Sequence, residues 1–174
     1  AITLELGGKS PVIVDGSGDI EKIAEKIAWG KTLNCGQTCI APDFVLIKKD
    51  KLSDFTKYFK NSVDKFYNSK KQGIEKSKDY GRIVDENNFK RVDSHLKDAL
   101  KKGAKIECGG ELNEKEKFMA PTLLSNITLE MMVMQEEIFG PILPVLIYEK
   151  NREIIELFQK MPSPLALYIM SSDK

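Results

Sequence analysis

Ser10-Pro11-Val12-Ile13-Val14, Asp15-Gly16-Ser17-Gly18-Asp19 and the run from Ile20 to Leu33 form the stretch on which the fold turns. The first five residues are apolar and β-branched, the composition of a strand buried on both faces. Two glycines and two aspartates then turn the chain, and Asp19 is placed to cap a helix. Ile20, Ile23, Ala24, Ile27 and Ala28 recur at helical spacing and put one apolar stripe on a helix from about Asp19 to Leu33, which Gly36 is expected to end. Phe44-Val45-Leu46-Ile47 is the next strand, so the unit reads strand, helix, strand. The same alternation continues downstream. Leu52, Phe55, Phe59, Val63 and Phe66 mark a second helix, and a third is expected between Asp85 and Lys102. Lys105–Cys108, Ala120–Leu124 and Ile142–Tyr148 read as extended segments. A helix over Ile154, Ile155 and Phe158 precedes a last strand, Leu165–Met170. Alternating strands and helices predict an α/β domain with an open, mainly parallel sheet and flanking helices.

Bulk properties narrow the function. With 27 basic against 26 acidic residues, the lysines are balanced by acids, as in Glu114-Lys115-Glu116-Lys117, and read as a solvated surface. No unopposed basic stripe invites nucleic acid, and no apolar run approaches the ~20 residues of a membrane span. Three cysteines, an odd number, do not make a secreted disulfide framework and point to a reducing, cytoplasmic setting. Cys35 and Cys39 are spaced C-x3-C. Structural zinc needs four ligands, and Cys108 and His95 lack motif spacing, so no metal is expected. His95 lies among charged residues and reads as solvated or salt-bridged. Gly16-Ser17-Gly18 lacks the third glycine of a dinucleotide fingerprint, and Asp15 and Asp19 would repel a pyrophosphate, so it reads as a turn with an N-cap.

Three segments carry chemistry: Glu5-Leu6-Gly7-Gly8-Lys9, Asn34-Cys35-Gly36-Gln37-Thr38-Cys39-Ile40-Ala41-Pro42-Asp43, and Gln135-Glu136-Glu137-Ile138-Phe139-Gly140-Pro141. Cys39 follows a glycine-bounded turn whose amides can favour a thiolate and hold an oxyanion. On local residues alone, a buried structural thiol is the alternative. Glu5 has apolar neighbours, and burial would raise a carboxyl toward the range where a general base works. On local residues alone a sheet-edge charge is the commoner role for such a residue.

In this order and spacing the three segments resemble the aldehyde dehydrogenase superfamily. Gly-Gln-Thr-Cys-Ile-Ala-Pro-Asp, Val133-Met134-Gln135-Glu136-Glu137 and Pro164-Leu165-Ala166-Leu167-Tyr168 are most similar to its class 3, fatty-aldehyde branch. The resemblance implies Cys39 as nucleophile and Glu5 as the base that activates the hydrolytic water. It implies Glu137 as acceptor for the nicotinamide-side ribose hydroxyls, Phe139 packed against that part of the cofactor, and Leu6 and Gly7 close to the nicotinamide. Glu136 is expected to face elsewhere. The reaction implied is oxidation of a small-molecule aldehyde to its acid through a cysteine thiohemiacetal and thioester, with NAD or NADP as hydride acceptor and a homodimeric parent enzyme.

Residues 1–174 correspond to the catalytic, thiol-bearing domain. Ala1 opens within a strand-like run and Lys174 comes just after another, so an upstream cofactor-binding domain and a C-terminal segment are expected outside this stretch, and the piece alone is expected to be inactive. The competing reading is an isolated non-catalytic folding unit, or a weak thiol esterase without its cofactor domain.

Overall fold

The computed structural model describes residues 7–173. Its first unit is β1 (Pro11–Val14), α1 (Ile20–Thr32) and β2 (Phe44–Lys48). Helix α2 (Leu52–Tyr67) is next in the chain, then α3 (Glu86–Lys101) and β3 (Lys105–Cys108). A small hairpin, β4 (Leu112–Asn113) and β5 (Phe118–Met119), leads to β6 (Thr122–Ser125) and a single helical turn, α4 (Met132–Gln135). β7 (Ile142–Tyr148), α5 (Asn151–Phe158) and β8 (Tyr168–Met170) complete the order. Asp19 caps α1 as the sequence suggests, and α3 has a second aspartate cap. The Asp19 carboxylate accepts from the Glu21 and Lys22 amides, and Asp85 accepts from Asn88 N at 2.8 Å.

Six strands form one open sheet in the order β3-β6-β7-β2-β1-β8. Every neighbouring pair is parallel except β3 with β6. Period-two alternation divides the core into two layers. Val12, Val14, Val45, Ile47, Leu143 and Val145 face α1 and α2, where Ile27, Phe55 and Phe59 close the layer. Phe44, Leu46, Leu124 and Ile142 face the other way and meet Phe89, Val92 and Leu96 of α3. Pro144, inside a central strand, lies where β7 changes partner: its pairing with β6 ends at Leu124↔Pro144, and that with β2 begins at Val45↔Val145. A missing N–H is tolerated at such a junction. Among the described residues no helix is long and apolar enough to cross a membrane.

α1 ends within one residue of its expected limit at Leu33, and the last strand is shorter than expected, Tyr168–Met170 in place of Leu165–Met170. α1 stops at Thr32, four residues before Gly36, and a 3-10 turn over Leu33–Gly36 takes over. Asn34 (φ 49°), Cys35 (φ 57°) and Gly36 (φ 74°) are all left-handed. Asparagine tolerates that region, whereas cysteine there costs on the order of 1 kcal/mol. Tertiary contacts hold the turn in place. Gln37 Nε2 donates to Asn34 O (3.0 Å) and Arg82 O (2.9 Å), its Oε1 accepts from Val84 N (2.9 Å), and Cys35 is fully buried against the Tyr80 hydroxyl.

Candidate active site

Three segments far apart in sequence meet beyond the start of β1 and β2. Gly7 lies against Glu137: a Cβ built on Gly7 would stand 2.5 Å from Glu137 Oε2. Lys9 donates to Val133 O (2.6 Å) and Glu136 O (3.0 Å) and pairs with Asp43, tying the first segment to the other two. Asp43 Oδ1 also accepts from Ile138 N at 3.0 Å. Gly36 touches the third segment directly, since a Cβ there would land on the Gly140 carbonyl oxygen. From the other side, Arg91 of α3 donates to Glu137 O (3.2 Å) and Ile138 O (2.9 Å). The arm Glu136–Gly140 is thus held through backbone atoms of Glu136, Glu137 and Ile138. It carries Phe139, 38 % exposed and left-handed (φ 46°), on its outer side. Glu5 and Leu6 lie outside the described residues.

Cys39 is exposed, in a bend closed by Ala41 N donating to Thr38 O (3.0 Å). The Tyr168 hydroxyl of β8 donates to Ile40 O at 2.6 Å and pins the far side of that bend. The buried-thiol alternative therefore falls to Cys35. Burial pushes the Cys35 thiol up to about 11 against the opposing hydrogen bond with Tyr80, and burial pushes half-buried Cys108 up to about 11 as well. A thiol alkylates as its thiolate and only where reagent can reach it. Cys39 is accordingly expected to be carboxamidomethylated first when the folded protein meets one equivalent of iodoacetamide. Peptide mapping reads the order, and earlier labelling of Cys35 or Cys108 would contradict this geometry.

An open groove of about 530 Å³, lined by Ile27, Trp29, Leu33, Thr38, Ile40 and Tyr168 among others, takes in both chain neighbours of Cys39, which is not itself a lining residue. Trp29, Leu33 and Ile40 each show about half of their surface (58 %, 47 % and 53 %), an unusual concentration of exposed apolar side chains next to a thiol.

Lys31 and His95 are two buried ionisable side chains. Lys31 is completely buried, so the description of the lysines as a solvated surface fails there. Burial pushes its ammonium down to about 8, opposed mainly by Asp43. Of the two roles expected for His95, solvated or salt-bridged, the structure has the paired one: its side chain is fully buried on the inner face of α3, with Nε2 3.2 Å from Glu136 Oε2. Helical register was the available signal in both cases. Lys31 continues the stripe Ile23, Ala24, Ile27, Ala28, and His95 shares a face with Val92, Leu96 and Ala99. The Gly16-Ser17-Gly18 turn satisfies itself: Ser17 binds Asp15 and Ser172.

The whole chain, residues 1–174, matches the model of the aldehyde dehydrogenase family. It is 43 % identical over 173 residues to the 4,4'-diaponeurosporen-aldehyde dehydrogenase of Staphylococcus aureus, covering 99 % of this chain and 36 % of that protein. It is 44 % identical over 170 residues to mouse aldehyde dehydrogenase family 3 member A2, covering 98 % of this chain and 34 % of that one. A solved substrate-bound state of Staphylococcus aureus AldH superposes with a TM-score of 0.90 at 42 % identity, over 98 % of this chain and 36 % of that structure. The chain therefore spans about a third of the length of such relatives. A parallel sheet that gathers a thiol turn, a glycine pair and a carboxylate arm at one end, with identities of this size across its full extent, is accounted for in one way: the chain belongs to the aldehyde dehydrogenase family.

Proposed function

We propose that this chain is the catalytic part of an NAD(P)-dependent aldehyde dehydrogenase that oxidises aldehydes with an apolar tail to carboxylic acids. The observation that carries this reading is the meeting of Gly7, the Gly36–Asp43 turn and Glu137–Gly140 at one place, with Cys39 exposed beside an apolar groove. The Cys39 thiolate adds to the carbonyl carbon while the groove holds the hydrocarbon tail; each buried methylene contributes about 0.8 kcal/mol. What NAD(P)+ supplies when bound is hydride acceptance, which turns the Cys39 thiohemiacetal into a thioester. The residues present suit its nicotinamide end. The missing Cβ at Gly7 leaves open the space in front of Glu137, whose carboxylate can accept from both hydroxyls of a vicinal diol, and Phe139 offers an exposed ring. The resemblance adds Leu6 to the residues expected close to the nicotinamide. Glu5 then takes a proton from the water that attacks the thioester, releasing the acid and restoring the thiol.

The self-satisfied Ser17 turn provides no pyrophosphate cradle. The adenosine end and its choice between NAD and NADP accordingly belong to the rest of a longer polypeptide, and the 174 residues alone are inactive in this proposal. Three free thiols suit a cytoplasmic enzyme, and a homodimer is proposed by kinship. One relative carries the name dimeric NADP-preferring aldehyde dehydrogenase.

The test uses Glu5→Gln in the intact enzyme. An amide cannot take the proton from water, so acylation proceeds and deacylation stalls. The expected trace is a burst of NAD(P)H equal to the active sites, then a steady state slowed roughly 10²–10⁴-fold. Turnover at the unmodified rate would remove Glu5 from the mechanism.

A further inference from the structure

Two glutamates stand side by side at the head of the arm, and Glu136 is extended (φ −124°, ψ 154°). Consecutive side chains on extended backbone leave on opposite sides. Whichever carboxylate is drawn toward α3 sends the other toward Gly7. Glu136 is the one drawn, to His95. The rest of the clamp does not distinguish the two: Lys9, Arg91 and Asp43 bind backbone atoms of residues 136, 137 and 138. His95 alone in this clamp contacts a glutamate side chain. Its ring is fully buried and its Nδ1 has no partner among the described residues, which assigns the proton of the neutral ring to Nε2, donating to Glu136.

We propose that His95 is a positioning residue which, by binding Glu136, selects Glu137 as the carboxylate presented to the cofactor ribose. This rests on Glu137 being the ribose acceptor, as proposed above. The charged groups facing His95 are Glu136 from the arm, Lys9 from the approach to β1, and Arg91 and Asp98 from α3 itself. Burial holds the imidazole below its ordinary pKa; Glu136 opposes this and the cations of Arg91 and Lys9 add to it. A second ring proton would sit on buried Nδ1 without an acceptor. As pH falls through that lowered pKa, charging the ring favours its escape to water and loosens Glu136. The Michaelis constant for the cofactor therefore rises on the acid side.

The experiment measures the NAD(P)+ KM against pH in the intact enzyme, together with cofactor-free hydrolysis of p-nitrophenyl acetate, which needs Cys39 but not the arm. His95→Leu keeps the apolar bulk and removes the donor; His95→Gln keeps a donor at similar reach. His95→Leu is expected to raise the cofactor KM about tenfold at neutral pH, to abolish its acid-side rise, and to leave ester hydrolysis within about twofold. His95→Gln should restore a low KM with no acid limb. Glu136→Ala breaks the same pair from its exposed end (59 % accessible) without touching the core, so it reports even if His95→Leu misfolds, and it should raise KM equally. An unchanged KM and acid limb in His95→Leu or Glu136→Ala, or no rescue by glutamine, overturns the selection role. Glu137→Gln run in parallel separates the two levels. If it also leaves KM unchanged, the ribose role of Glu137 has failed and the selection role with it. If it raises KM while His95→Leu does not, only the role of His95 is lost.

Discussion

Replacing Cys39 by alanine in the intact enzyme is expected to lower the rate of aldehyde oxidation by roughly 10⁴-fold or more, the scale on which removal of a covalent nucleophile acts. The side chain is exposed, so the change should cost within about 0.5 kcal/mol of stability. The loss would then be chemical and not a failure to fold. Two measurements make this specific. Rapid mixing with aldehyde and cofactor should show no burst of NAD(P)H, since no thioester can form. Intact mass after quenching in acid should show no acyl adduct, whereas the unmodified enzyme carries one. Cys35→Ala is the matched comparison. That thiol is buried, raised to about 11 and hydrogen-bonded to Tyr80, so its removal should cost stability while leaving the chemical step in place. Retention of more than roughly a hundredth of the activity by Cys39→Ala would exclude it as nucleophile.

Much of this architecture is legible in the sequence because it depends on periodicity. The stripe Ile23, Ala24, Ile27, Ala28 and the cap Asp19 specify a helix whatever surrounds it. The central strands β1, β2, β6 and β7 are as plain, their apolar runs being buried on both faces over most of their length, whereas β3 is largely and β8 partly exposed. The order of the strands is not legible. β7 lies between β6 and β2 although more than ninety residues separate it from β2, and only the shape of the two apolar layers decides that insertion. The hairpin of β4 and β5 has strands of two residues each, below any periodic signal. Of the proposed site, Cys39, Glu137 and Phe139 are visible because they lie in motifs. The parts that aim them are not: Lys9, Arg91 and His95 act through backbone oxygens or one neighbouring side chain, and residue type does not announce such a partner. The left-handed turn beyond Thr32 escaped for a related reason. A left-handed Cys35 is locally unfavourable, and Gln37 and Tyr80 hold it there from outside the helix.

That dependence on outside support makes Gly36→Ala the second large effect. The substitution meets two separate costs. At φ 74° alanine is strained by about 1 kcal/mol relative to glycine. In addition its Cβ would fall on the Gly140 carbonyl oxygen and 3.0 Å from Lys31 O, both of them backbone. Neither neighbour yields easily. Gly140 is itself packed against Val92 (a Cβ there would be 2.8 Å from Val92 Cγ1), and Lys31 belongs to the last turn of α1. The total is expected to be about 2–4 kcal/mol, read as a fall in Tm of roughly 5–15 °C for a chain of this size. Gly73→Ala isolates the conformational part, because Gly73 has a similar φ of 90° with nothing within 4 Å of its Cβ position; it should fall only about 2–4 °C. Strain at Gly36 also has a place to go. The thiol turn and the Phe139 arm meet at this contact, so relieving it moves Cys39 away from the Glu137 side of the site. A displacement near 1 Å at such a point costs about 10²-fold in rate. In the intact enzyme Gly36→Ala should therefore lose activity beyond what its folded fraction explains, while Gly73→Ala should lose none. Equal melting temperatures for the two variants would mean that the turn and the arm do not touch.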